Sequence, residues 1–333
     1  MVGRERKLAY AAFLAVCLIW STTYLGIKIA LETIPPFLLG GTRFVVSGMI
    51  LVLLVRARGV SLPRPSTWPS FALAGLLLLG VGNGGVMFAE QVVSSGMAAV
   101  TVATTPFWMV GIGALVPHGE RITRRAVAGL ILGFIGVLLL AGADLQAGMT
   151  SGSLSGLLTL EVACAGWAAG TVLSKRRHTD QNPFGAAAIQ MLAGGAVMLL
   201  LSTVLGEWRL VSFTARTVTA LVYLTIAGSL VGFACYVYAL RHLPVSTVSL
   251  YAYVNPVLAV ALGALLLSEP VTLTMILAMI LILAGMAVVS APGGSAAVRA
   301  LWWRKPQPVR QAQTDSSAAV PQVVGETLRV CEK

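Results

Sequence analysis

Four charged side chains fall inside or at the ends of long apolar stretches: Lys28, Arg43, Glu90 and Glu161. A charge in hydrocarbon is costly, so each of them asks for a partner, a wet cavity or a proton. Glu161 lies about ten residues, or ~15 Å, into its stretch, close to the bilayer midplane. A carboxyl there could bind and release a proton; the plainer reading is a neutral acid hydrogen-bonded to a neighbour. Lys28, Arg43 and Glu90 lie toward one face. They could form an outer gate in which Glu90 pairs with Arg43 or Lys28, or a permanent ion pair that aligns helices.

A second set is polar but uncharged. Asn255-Pro256 and Thr105-Pro106 each sit near the centre of an apolar run. Proline cannot donate a backbone hydrogen bond, and a freed carbonyl at membrane depth needs protein or water to satisfy it. Trp20, Trp167, Tyr236, Tyr238, Tyr251 and Tyr253 lie inside or near the ends of such runs. Trp20 and Asn255 are too deep for an interfacial belt. A cavity with aromatic walls and sparse polar points suits solutes with an apolar side chain, although ordinary helix packing explains any one of these residues equally well. Asn83 stands in the Gly-rich GVGNGG, where glycines let helices approach and the amide needs a partner.

The elements that must position these residues are membrane spans. Of 333 residues, 57% are hydrophobic and 11% charged, with a mean hydropathy of +0.87. So few charges cannot cover a water-facing surface. Ten apolar runs can be marked: Leu8–Ile29, Phe37–Val55, Phe71–Val93, Gly96–Val116, Val127–Ala141, Ser153–Leu173, Phe184–Leu205, Val218–Leu240, Val245–Leu267 and Leu273–Ser290. The fifth is the shortest and could borrow Ile122–Ala126 by letting Arg124 and Arg125 snorkel. If the N-terminus and every second loop are cytoplasmic, that side holds nineteen of the 23 Lys and Arg. This asymmetry places both termini in the cytoplasm. The basic Met1–Lys7 ahead of an apolar run of about 20 residues that no A-x-A site follows reads as the start of an uncleaved first span. The remainder, 292–333, reads as a disordered cytoplasmic tail whose Leu301–Lys305 segment touches the membrane interface.

The halves repeat. IWSTTYLGIK from Ile19 aligns with GWAAGTVLSK from Gly166, and PPFLLGGTRFVVSG from Pro35 with NPFGAAAIQMLAGG from Asn182. Trp20 then falls on Trp167, Arg43 on Gln190, Pro106 on Pro256 and Glu120 on Glu269. Five spans per half make the second copy enter from the opposite side, an inverted repeat of the kind found in secondary transporters. Gly129, Gly133 and Gly136 share a face of the fifth span and read as close packing, and Ser268-Glu269-Pro270 reads as a helix-ending turn.

Several chemistries are disfavoured. The sequence has no Walker A motif, HExxH or GxSxG, its three histidines (His118, His178, His242) are scattered, and Cys17, Cys164, Cys235 and Cys331 form no CxxC. No cofactor, metal or nucleic-acid partner is expected, and the chain is not read as an enzyme.

IWSTTYLGIKIA at Ile19, PPFLLGGTRF at Pro35, VGNGGVMFAE at Val81, SSGMAAVTVATTPF at Ser94, and YAYVNPVLAVALG with SEPVT between Tyr251 and Thr272 resemble the EamA family of drug/metabolite transporters, most of all its YedA-type members. The resemblance implies an all-α membrane protein of ten transmembrane helices in two inverted five-helix EamA repeats, 8–142 and 151–291. It implies an inner-membrane exporter of small organic solutes such as amino acids. It further implies a central cavity, and the substrate-binding set expected there is Trp20, Tyr24, Asn83, Thr101, Thr105, Trp167, Tyr238, Tyr251 and Asn255. Lys28, Arg43, Glu90 and Glu161 remain for gating or coupling, and Pro106 and Pro256 for helix kinks. Glu161 departs from the family, which usually has an apolar residue there. The expected partners are a small-molecule substrate and the bilayer, with the chain a monomer or homodimer. An uptake permease for a similar solute and a non-transporting membrane sensor remain as alternatives.

Overall fold

The computed structural model describes residues 2–115, 124–146, 152–176, 181–243 and 251–290, and among these it is all helix and loop, with no strand. Glu120, His118, His178, the start of the ninth apolar run and the tail lie outside the described residues. Seven helical stretches are long and apolar enough to cross a membrane, and shorter apolar helices cover 127–139, 254–267 and 273–288. Large apolar side chains such as Leu18, Leu53, Leu138, Leu158 and Leu200 point outward, more than half exposed, as lipid-facing residues do.

Helix α1 (Val2–Ala30) leads through a short turn to α2 (Pro36–Ala57). The third apolar run is not one regular helix. It consists of α3 (Trp68–Gly75), a π-helical stretch over Leu76–Asn83, and α4 (Gly84–Ala89). The fourth run is split into α5 (Ser95–Val102) and α6 (Thr105–Leu115). Then come α7 (Arg124–Gln146), α8 (Gly152–Arg176) and α9 (Pro183–Val204). α7 does extend past the fifth run to begin at Arg124. The eighth run is α10 (Ala215–Tyr223), a second π-helical stretch over Leu224–Val231, and α11 (Gly232–His242). The described part ends with α12 (Tyr251–Leu267) and α13 (Leu273–Ser290).

Two helix pairs pack along their lengths: α2 on α9, and α7 on α13. Lipid gives helices no hydrophobic reason to associate, so close backbone approach must supply the contact. Glycine permits it. A Cβ on Gly285 of α13 would stand 2.6 Å from Gly129 O and 2.8 Å from Gly133 N of α7, and one on Gly195 of α9 would stand 2.8 Å from Val45 N of α2.

Carboxylates and an ammonium tie the ends at one face of the bundle. Ser268, at φ +54°, turns the chain after α12 so that Glu269 N–H reaches Gly263 O at 3.1 Å. The Glu269 carboxylate then accepts from Ser95 N (2.9 Å), Ser95 Oγ (2.8 Å) and Gly96 N (3.1 Å), capping α5. Glu207 serves α2 in the same way, accepting from Leu38 N at 2.8 Å. These donors are the first N–H groups of their helices, which have no intrahelical acceptor.

Candidate functional site

The break between α5 and α6 builds the centre of the molecule. Pro106 falls in the first turn of α6, where its missing N–H is tolerated. Val102 O, four residues back, instead accepts from Thr105 Oγ1 at 2.6 Å. Thr104 Oγ1 donates to Thr101 O at 2.8 Å, and Thr101 Oγ1 to Met97 O at 2.9 Å. The Thr105 hydroxyl therefore satisfies the carbonyl that Pro106 leaves without its helical donor, while those of Thr104 and Thr101 add to carbonyls already met by main-chain N–H groups.

The π stretch of the eighth run is satisfied from neighbouring helices. Ser47 Oγ donates to Thr225 O at 3.0 Å, and Trp20 Nε1 to Gly228 O at 3.2 Å. Arg43 Nε donates to Ser229 Oγ at 2.7 Å. π turns of this kind recur at functional sites. On the other side, Trp167 of α8 lies against Gly82 in the π stretch of the third run, 3.3 Å from where a Cβ would be.

Between these elements lies a cavity of about 210 Å³. Trp20, Tyr24, Asn83, Thr105, Trp167, Tyr251 and Asn255 line it, as do Pro106 and Pro256. Its aromatic wall is a triad: Trp20 to Tyr236 at 5.2 Å, Trp20 to Tyr251 at 5.1 Å edge-on, and Tyr236 to Tyr251 at 6.0 Å edge-on. Asn255 is 7% exposed, and with its amide turned so that the nitrogen faces them, Cys17 O (3.2 Å), Ser21 Oγ (3.1 Å) and Tyr251 O (3.0 Å) lie within reach of its two N–H donors. It thus ties α12 to α1 as well as facing the cavity.

Two expected residues lie elsewhere. Thr101 is fully buried with its hydroxyl turned back on Met97 O, because the break at Ala103-Thr104 ends α5 before Thr105 begins a new helix. Tyr238 is buried in a cluster with Ala9, Ala12 and Val16 of α1 and does not line the cavity, whereas Tyr236, packed against the same cluster, does. Conversely, Ser229, Phe233, Tyr236, Cys164 and Thr171 line the cavity without having been in the expected set.

Lys28, Arg43, Glu90 and Glu161 form no side-chain ion pair with one another. Arg43, 5% exposed, lines the cavity, and its guanidinium carbon is 4.9 Å from the Phe44 ring centre. Lys28 Nζ donates to the main-chain oxygens of Glu90 (2.6 Å) and Val93 (2.8 Å), closing the end of the third span. The Glu90 carboxyl is fully buried with no hydrogen-bond partner. The expected pairing of Glu90 with Arg43 or Lys28 is absent here. An exposed ion pair joins Arg216 to Glu32 at 3.0 Å. Glu161 bridges α8 to the broken span, accepting from Trp108 Nε1 at 2.7 Å with Thr104 Oγ1 at 3.2 Å.

No group of His, Cys, Asp or Glu among the described residues could hold a metal ion. The site offers apolar and aromatic walls, a few amides and hydroxyls, and one guanidinium, an arrangement for holding a small organic molecule.

Known proteins resemble the chain over most of its length. The EamA-like transporter family profile matches residues 7–142 and 154–291. The chain is 35% identical over 255 residues to the uncharacterized inner membrane transporter YedA of Escherichia coli K12, covering 76% of this chain and 81% of that protein. It is 26% identical to a probable amino-acid metabolite efflux pump of Salmonella typhimurium, covering 85% of this chain and 94% of that one. A crystal structure 24% identical in sequence superposes with a TM-score of 0.61, covering 85% of this chain and 97% of its own. The chain is a membrane protein and belongs to the EamA-like transporter family.

Proposed function

We propose that the chain is a secondary transporter that exports small organic metabolites, amino acids among them, across the bacterial inner membrane by alternating access. In this reading ten helices form two five-helix repeats of inverted topology, 8–142 and 151–291, with both termini cytoplasmic and 292–333 a cytoplasmic tail. The supporting observation is the correspondence across the cavity. The two π stretches begin at Leu76 and Leu224, within the 147–150 residue offset of the sequence repeat. Trp20 of the first half leans on the π stretch of the second, and Trp167 of the second on that of the first. The packed pairs α2–α9 and α7–α13 join positions that the repeat makes equivalent. A cavity at the meeting of two such halves can be closed alternately by span ends at either face.

Trp20, Tyr24, Asn83, Thr105, Trp167, Tyr251 and Asn255 form the substrate wall, and Thr101 and Tyr238 leave that set. The Lys28 and Glu269 contacts seal one end when formed, and Pro106 and Pro256 mark where the spans bend. Proton coupling is assigned to Glu161, because its carboxyl joins α8 to the break that must move. The outward direction rests on the efflux named for the Salmonella relative and on family resemblance.

Counterflow tests the proposal. Purified protein in proteoliposomes preloaded with unlabelled amino acids should accumulate the matching labelled one without ATP, and Trp20→Ala should abolish it. Folded protein that exchanges no solute of such a panel would contradict transport.

A further inference from the structure

We infer that Arg43 is the anion anchor of the cavity, and that the solute it takes carries a carboxylate on an apolar, preferably aromatic, body. The inference rests on the transporter reading and names the substrate class of the same cavity.

Arg43 is the one charged side chain among the described residues lining that cavity, which has no lining carboxylate. Its surroundings leave it short of partners. Nε donates to the neutral Ser229 Oγ at 2.7 Å, while Nη1 is buried with no hydrogen-bond partner. The Glu90 carboxyl acts on it only through space, without a hydrogen bond, and a buried guanidinium whose donors are unmet is expensive, a cost that a lone hydroxyl does not offset. Such a group is retained where a ligand completes it. A guanidinium presents its N–H donors as a planar fork that a carboxylate meets with two parallel bonds.

The wall is shaped for this. Gly228 has no side chain, and a Cβ there would stand 3.2 Å from Arg43 Nη2 and 2.9 Å from Thr23 Cγ2. The π stretch thus leaves room around the guanidinium that an ordinary residue would fill. Ser229, the next residue, holds Nε and fixes the plane of the fork. The Trp20, Tyr236 and Tyr251 rings line the same cavity and offer apolar faces to the rest of the solute. At the equivalent place in the other half stands Gln190, whose amide nitrogen donates to Ser174 Oγ at 3.1 Å. The halves are therefore unequal in charge, and the solute binds in one polarity.

Matched probes test the anchor on the unmodified full chain in lipid nanodiscs. The pair is 3-phenylpropionate and its uncharged amide, 3-phenylpropionamide, with binding read from tryptophan fluorescence and calorimetry. The carboxylate should bind at least tenfold more tightly than the amide. Arg43→Gln should bring the two to the same weak affinity, Arg43→Lys should keep part of the preference, and Ser229→Ala should weaken it without reversing it. Equal binding of the two probes to the unmodified chain, or no binding of either, overturns the anchor, and neither result depends on a variant that folds. A preference that survives in folded Arg43→Gln also overturns it. Counterflow separates this from the broader reading: tight carboxylate binding without exchange would leave the anchor standing and remove transport.

Discussion

Truncating Glu269 should cost more than any surface carboxylate of ordinary worth. Its two oxygens accept three hydrogen bonds, at 2.8, 2.9 and 3.1 Å, from the first residues of α5. Ser95 is fully buried, so the donors that lose this acceptor have little recourse to water. A hydrogen bond to a charged group contributes about 1.5–3 kcal/mol and an orphaned buried donor costs about 1–3 kcal/mol. The three share one carboxylate and do not add, so Glu269→Ala should lose about 3–5 kcal/mol. Glu269→Gln keeps one acceptor oxygen and loses the charge at the helix N-terminus, a loss of about 1–2 kcal/mol. Denaturant-induced unfolding in mixed micelles measures both. Hydrogen exchange at the Ser95 and Gly96 amides localises the effect, with protection in Glu269→Ala falling by about 100-fold or more, since each 1.4 kcal/mol is tenfold. Stability within about 0.5 kcal/mol of the parent in both variants, with amide protection unchanged, would refute the cap as the tie between α12 and α5.

The packing and the broken span make further claims. Gly285→Ala drives a Cβ into the backbone of α7 and should destabilise by about 1–3 kcal/mol, whereas Gly111→Ala, with nothing within 4 Å of its Cβ, should be near neutral; thermal unfolding in detergent compares them. Thr105→Val removes the donor to Val102 O and should cost about 1–2 kcal/mol, with Thr105→Ser recovering most of it in the same assay. Glu161→Gln keeps an acceptor for Trp108 but cannot titrate, so pH-gradient-driven flux should fall to the rate without a gradient while counterflow persists; undiminished gradient-driven flux would exclude coupling through Glu161.

Most of the architecture could be read from hydropathy, and most of the cavity from depth. Trp20, Asn83, Thr105, Trp167 and Asn255, placed by their position along the spans, line one cavity. Direction around the helix axis is harder to read. Tyr236 and Tyr238 are about 200° apart on α11, so only Tyr236 lines the cavity, and the sequence does not say which of them does. Thr101 and Thr105 would share a face of a continuous helix, but the break before Pro106 separates them. Arg43 could be placed toward the outer end of α2, but not turned toward the cavity, because its partner Ser229 is 186 residues away. The π stretches left only a faint trace, Gly80 and Gly228 at corresponding places in LLLLGVGN and LTIAGSLV. Lys28 stands next to Glu90 as its position suggested, but its ammonium meets the main-chain oxygens of Glu90 and Val93, which a helix end supplies freely, and a sequence does not tell a carboxylate partner from a carbonyl one.

Access to Asn83 from the two sides of the membrane tests the central claim most directly. Asn83 lines the cavity at the end of the first π stretch. In a background with Cys17, Cys164, Cys235 and Cys331 replaced, Asn83→Cys is exposed to a membrane-impermeant thiol reagent in right-side-out and in inverted vesicles. Alternating access requires labelling in both preparations, each slowed by a bound solute. Labelling in neither preparation, or from one side under every condition, would contradict a cavity that opens to both faces.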